Sequence, residues 1–336
     1  MSTSATPSTT TAQPTTDGRR ALRWAGVCLA AHAFLSFFSA YAFSTFLSAS
    51  PPPAWLLTPA NQVVSRVAWM LGPATTVVLG ALAGVLHATG KIGGRRALAI
   101  FGAAFTITLG AELAGTHTGY PFGPYSYTTQ LGYRVLGLVP FNIPTSWFFM
   151  LYCALAICGR LLAVGDPSQS SAHASREKWK WAIVAGLVLT AWDVSMDPAM
   201  VNTTHWIWRL APPAEQSALQ RVFVSDIFYG MPLSNWLGWI LTGTVVARVM
   251  LAIVPPSVFA RRVSPSNFPL VLYAVNGVLP IAICARRGLV WAALFGTVAM
   301  GLPLALAVAA KRRAVRAERY DAAPRPRGTG MPVAGD

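Results

Sequence analysis

Residues 179–196 read Trp-Lys-Trp-Ala-Ile-Val-Ala-Gly-Leu-Val-Leu-Thr-Ala-Trp-Asp-Val-Ser-Met. Between Lys180 and Asp193 the stretch carries no charge, and its length is close to the ~20 residues a helix needs to cross a bilayer. Asp193 stands at the end of the run, and Asp197 follows one helical turn later, on the same face. An ionisable side chain in a bilayer costs roughly 2.5–3.5 kcal/mol on insertion scales, so such residues face an internal cavity and mark function.

The same grammar recurs along the chain. Apolar runs of spanning length cover Leu22–Leu47, Val67–Leu86, Ala97–Gly115, Ile143–Val164, Trp179–Met196, Leu233–Val254, Phe268–Ala285 and Leu289–Ala309. The last two are separated only by Arg286, Arg287 and Gly288, a tight helical hairpin; read as one, they reduce eight helices to seven. Composition agrees: 54% of residues are apolar and 11% charged, against about 25% charged in soluble domains. The expected fold is all-α, a polytopic transmembrane bundle of seven or eight helices. One membrane domain spans 21–310, between a disordered polar tail at 1–20 and a basic, disordered cytoplasmic tail at 311–336. The run after Arg23 is too long for a signal-peptide core and reads as an uncleaved first helix.

The net charge of +15 does not indicate nucleic acid, because the basic residues lie between and beyond the apolar runs. With the N-terminus inside, 20 of the 26 Lys and Arg face the cytoplasm; only Arg66, Arg134, Arg209, Arg221, Arg286 and Arg287 do not. Both termini are then cytoplasmic, in a multi-pass protein of the cell (inner) membrane. Glu112, Asp193, Asp197, Asp226 and Asn235 converge on the opposite leaflet. The two long connections there, rich in Pro, Gly and Trp, are expected to be partly re-entrant or interfacial lids.

Several chemistries are excluded. Lysine occurs only at 91, 178, 180 and 311, at helix edges, so no mid-membrane amine exists for a retinal Schiff base. Asp193-Val-Ser-Met-Asp197 is too sparse in acid for magnesium diphosphate. Five histidines are too few for a di-iron His box, and four cysteines within the spans form no metal pattern. His32 and His87 read as structural; His117 and His205 stay as candidate polar partners. Asn202-Thr203-Thr204 matches a glycosylation sequon, which carries no weight outside a eukaryotic secretory context.

What remains is acid chemistry on a lipophilic substrate. Two carboxylates held close in low dielectric do not both ionise readily, and the one that keeps its proton is an acid at neutral pH. Phe122, Tyr125, Tyr127, Trp147 and Trp192, with Trp206, Trp208, Phe228, Tyr229 and Trp236, would line a tunnel and stabilise a carbocation through their ring faces. An aromatic belt at the interface is the competing reading for Trp206 and Trp208. Helix capping or loop holding competes for the acids, most of all for Asp226 and for Asp197 before Pro198.

Taken together, four groups of residues carry a resemblance: Glu112-Leu-Ala-Gly-Thr-His-Thr-Gly119-Tyr-Pro-Phe122-Gly123-Pro-Tyr125-Ser-Tyr127; Val139-Pro140 with Ile143-Pro144 and Trp147; Trp192-Asp193 with Met196-Asp197-Pro198, Trp206 and Trp208; and Tyr229-Gly230-Met-Pro232-Leu-Ser-Asn235-Trp-Leu-Gly238-Trp239. The set resembles the carotenoid 1,2-hydratase family of integral membrane proteins, the CruF type, which includes bisanhydrobacterioruberin hydratases. The resemblance implies water addition across the terminal 1,2 double bond of an acyclic or monocyclic carotenoid (lycopene, γ-carotene or a bisanhydrobacterioruberin-like substrate), without a redox cofactor. Membrane lipid and other enzymes of the carotenoid pathway are the implied surroundings.

Such a reaction needs a general acid, a water-orienting acceptor and a shielded cavity. Asp193, deepest of the pair, is the preferred acid; Asp197 or Glu112 would hold and deprotonate the water, and Asn235 would orient it. Phe122, Tyr125, Tyr127, Trp147, Trp192, Trp206, Tyr229, Trp236 and His117 are the candidate substrate contacts. A carotenoid cyclase, in which an internal alkene captures the cation, and a non-enzymatic carotenoid or lipid carrier fit the same elements. The charge distribution makes its own prediction: reporter fusions after Gly90, Gly165 and the C-terminus read cytoplasmic, and one within 199–225 reads the opposite side. The reverse pattern would invert the orientation.

Overall fold

The computed structural model describes residues 16–165 and 170–321. Among them, eight helices are long and apolar enough to cross a membrane: α1 (Thr16–Ala42, prolonged by a π-helical turn, Phe43–Leu47), α2 (Pro59–Ile92), α3 (Gly94–Thr118), α4 (Asn142–Leu161), α5 (Ser171–Asn202), α6 (Leu233–Ile253), α7 (Phe268–Arg286) and α8 (Val290–Asp321). The protein is a polytopic all-α bundle. Arg287 and Gly288, with φ of +73° at the glycine, turn α7 into α8, so the last two spans are separate.

Three helices outrun their apolar cores. α2 starts at Pro59, α5 starts at Ser171 and α8 runs on through Lys311, Arg312, Arg313 and Arg316 to Asp321. Hydropathy marks only the lipid-length portion; the extensions of α5 and α8 are rich in Ala, Arg, Lys and Glu, which favour helix in water. The expected basic tail is therefore helical as far as Asp321, and the expected N-terminal tail lies outside the described residues up to position 15. α5 also passes through Pro198 without stopping, so Asp197 is not at a helix end.

Helix α4 is the axis of the bundle. From Pro144 to Cys158 every side chain is buried, as expected for a helix apolar all round. α5 packs on α6 through glycines: a Cβ on Gly186 would meet Thr244 Oγ1 at 2.7 Å, and one on Gly243 would lie 3.3 Å from Gly186 Cα. Without a hydrophobic force between helices in lipid, close backbone approach of this kind supplies the association. Elsewhere, His32 Nδ1 meets Thr76 O at 2.8 Å and Nε2 faces Asn276 Nδ2 at 3.2 Å, while His87 joins Tyr152 OH (2.8 Å) and Ser266 Oγ (3.1 Å). Both histidines tie helices together.

The long connections at one end of the bundle contain three two-stranded sheets. β1 (Tyr125–Tyr127) pairs antiparallel with β4 (Trp206–Trp208), in the register Tyr125↔Trp208, Ser126↔Ile207, Tyr127↔Trp206. Alternation puts both tyrosines and both tryptophans on the face toward the bundle and leaves Ile207 half exposed. β2 (Arg134–Val135) and β3 (Val139–Pro140) form a hairpin turned by Leu136 and Gly137. β5 (Asp226–Phe228) and β6 (Met231–Pro232) form another, turned by Tyr229 and Gly230 at φ of +50° and +89°.

Candidate functional site

The glycine crossing of α5 and α6 sets the site. Seven residues beyond Gly186 lies Asp193, and eight before Gly243 lies Asn235; the helices run antiparallel, so these side chains meet about two turns toward the lid. Asn235 Nδ2 donates to Asp193 Oδ2 and to Asp197 Oδ2, both at 2.9 Å. Asp197 Oδ1 also accepts from Trp206 Nε1 on β4. Asp193 Oδ1 is buried without a partner.

Glu112 enters from α3. Its Oε2 accepts from Tyr125 OH at 2.5 Å and Tyr127 OH at 2.8 Å, so the ribbon that closes the site also binds its acids. Burial first, and then the Glu112 carboxylate, pushes both phenols well above their ordinary value; they remain neutral donors. Two glycines let the 119–124 turn reach this depth: a Cβ on Gly115 would meet Phe122 at 2.8 Å, and one on Gly238 would meet it at 2.6 Å.

The three carboxylates and Asn235 open into one cavity of about 440 Å³. Its walls are aromatic. Trp147 stacks on Trp239 (4.3 Å between centroids), which meets Trp192 edge-on at 6.0 Å, and Phe122 lies 6.2 Å from Trp147. Tyr125 packs against Trp208 at 5.2 Å and Tyr127 against Trp206 at 5.9 Å. No lysine or arginine lines it among the described residues, so the acids are held by neutral donors. Among the described residues, no three His, Cys, Asp or Glu side chains gather as a metal-binding group.

Of the sequence candidates, Glu112, Asp193, Asp197, Asn235, Phe122, Tyr125, Tyr127, Trp147, Trp192 and Trp206 line this cavity. Others do not. His117 is exposed at the end of α3. Asp226 is exposed, and its Oδ1 accepts from Gly230 N at 2.8 Å, holding the β5–β6 turn. Tyr229, in that turn, accepts from Trp291 N and with Phe228 belongs to a shallow groove beside α8; Trp236 packs against Phe228. Reasoning from charge also missed the far wall, built by Ser36 and Phe43 of α1, Thr76 of α2 and Asn276 of α7, and it missed Asn142 and Trp239. A lone Asn276 inside an apolar run was the only signal for that wall.

The fold and this site define a multi-pass helical membrane protein with carboxylates buried in an aromatic cavity. Residues 72–303 match the family described as carotenoid biosynthesis protein, and the chain belongs to that family. Over 136 residues it is 30% identical to the bisanhydrobacterioruberin hydratase of Haloarcula japonica, an alignment covering 40% of this chain and 38% of that relative. No solved structure matches it.

His205 links the lid to α5: its carbonyl accepts from Thr128 N at 3.0 Å, and its Nδ1 meets Thr203 Oγ1 at 2.8 Å. Burial lowers it from 6.5 to about 4. Between those values the unfolded chain binds the proton that the folded chain excludes, so stability is full above pH 6.5 and falls as pH drops toward 4. Thermal unfolding in detergent is expected to show this slope in the wild type and a shallower one in His205→Gln; an identical slope in both would remove His205 from the account.

Proposed function

We propose that the protein is a carotenoid hydratase of the cell (inner) membrane, a hydro-lyase with both termini cytoplasmic, that adds water across the terminal 1,2 (1′,2′) double bond of an acyclic or monocyclic carotenoid. Lycopene, γ-carotene and bisanhydrobacterioruberin-like polyenes carry suitable ends. The reading rests on one observation: three buried carboxylates, with no cation among them, face an aromatic cavity large enough for a carotenoid end group. The hydratase among the chain's relatives supports it.

Hydrogen bonding divides the roles. Glu112 and Asp197 each accept from two protein donors, an environment that suits an anion. Asp193 accepts from one shared donor and keeps Oδ1 buried and unpaired, so it carries the proton. Asp193 delivers that proton to carbon 2 of the end group, the π electrons forming the new C–H bond. The tertiary cation left at carbon 1 lies among the ring faces of Trp147, Trp192 and Trp239. Water adds its lone pair to carbon 1 and gives up a proton to Asp197 or Glu112, leaving a tertiary alcohol. A proton shift between the carboxylates resets the site. Asn235, holding Asp193 and Asp197 together, keeps donor and acceptor in register.

In a host that makes acyclic carotenoids, the pigment is expected to gain the mass of one water, or two, with the oxygen drawn from labelled water. Oxygen drawn from dioxygen would overturn the reading. Asp193→Asn keeps the Asn235 bond and removes the acid, so turnover is expected to fall by about 10²–10⁴ with normal expression and retained carotenoid. Asp226→Asn, outside the cavity, is expected to stay near wild type. If Glu112, Asp193 and Asp197 all tolerate the amide, the proton-donor mechanism is wrong.

A further inference from the structure

Asn142 is a polar group of the cavity for which neither the fold nor the acid chemistry has a use. It is the first residue of α4, one past the N-cap Phe141. The residue is 2% exposed, it lines the cavity, and its Oδ1 is enclosed with no hydrogen-bond partner. A buried acceptor left unpaired destabilises the fold, because it has given up water without gaining a donor. A carboxamide with no structural bond is therefore a strained presence in this core, unless a ligand bearing an O–H or N–H group completes it.

The surroundings narrow the ligand. Ser146, one turn along α4 on the same face, also lines the cavity, and its hydroxyl donates to Ile143 O at 2.8 Å, which leaves it an acceptor toward the cavity. Trp147 follows and also lines the cavity, its indole N–H enclosed without a hydrogen-bond partner. A polar edge thus runs down α4 from the lid toward the carboxylates, on a helix otherwise packed with apolar side chains. A polyene end group offers hydrocarbon alone to such an edge. The small donor the reaction consumes is water.

We infer that Asn142 binds the substrate water, accepting one of its O–H bonds through Oδ1 so that the oxygen lone pair is turned toward carbon 1 of the cation. The inference rests on the hydratase reading. Asn142 forms no bond to carbon and takes no proton; it fixes the nucleophile while Asp197 or Glu112 receives the released proton. Asp193 still protonates carbon 2 when Asn142 is gone, but the cation, lacking a positioned nucleophile, loses a proton and returns to an alkene.

The test is a partition measured in deuterium oxide, on full-length protein in membranes supplied with an acyclic carotenoid. Two products are counted: hydrated carotenoid, and unhydrated carotenoid carrying deuterium at carbon 2. Asn142→Leu is expected to lower the ratio of hydration to exchange about tenfold or more, since one hydrogen bond to the water is lost, while Asn142→Asp restores most of it. Should the leucine variant not insert, Asn142→Ala carries the same comparison. An unchanged ratio in a variant lacking the acceptor, or equal loss of both products, would overturn the assignment. No hydrated product from the wild type would overturn the hydratase reading itself, a separate outcome.

Discussion

A single amide nitrogen, Asn235 Nδ2, bridges Asp193 and Asp197, and the arrangement of the bundle around it follows from keeping that contact dry and short. Two acids in low dielectric are tolerable only where each finds a donor. The donor sits on α6 and the acids on α5, so the helices must touch, and Gly186 and Gly243 permit it. Any side chain at that crossing would separate the backbones and unpair the acids two turns away. The lid follows from the same need: Trp206, Tyr125 and Tyr127 supply the remaining donors, and only the β1–β4 pairing presents all three on one face.

The donors are also the walls. An indole or phenol presents an N–H or O–H at its rim and an electron-rich face across its plane. In this cavity the rims of Trp206, Tyr125 and Tyr127 address the carboxylates, while Trp192 donates to Asn276 O. A cationic side chain would satisfy the acids better, but it would repel a carbocation and hold every acid ionised. The absence of lysine and arginine from the lining, among the described residues, is thus consistent with the proposed chemistry, and it explains why hydropathy plots see the acids as isolated charges.

What could be read from the sequence divides along physical lines. The eight spans were legible because lipid demands a run of apolar residues, and no tertiary contact can substitute for it. Helix ends were not, because past the membrane surface propensity takes over from hydropathy, as in α5 and α8. Glu112, Asp193, Asp197 and Asn235 stood out as polar groups against an apolar background. Asp226, His117 and Tyr229 stood out equally, yet two are exposed and the third occupies a turn; sequence shows that a residue is unusual for its surroundings, and not which way it points. Period-two alternation in Tyr-Ser-Tyr and Trp-Ile-Trp would have told lid from belt, but three residues are too short a run to reveal a strand. Asn142 carried no signal at all, since a polar residue at a helix start reads as a cap.

The bridging nitrogen has a bearing on how the chain is made. α5 is the least apolar of the eight spans, and it enters the membrane during synthesis before Asn235 has left the ribosome. Its two acids are then without their donor, and the Trp206 that serves Asp197 is also still to come. Until its successor arrives, the segment carries the insertion cost of two acids without their shared donor. Order of emergence, as much as final geometry, bears on where a membrane protein can carry its acids.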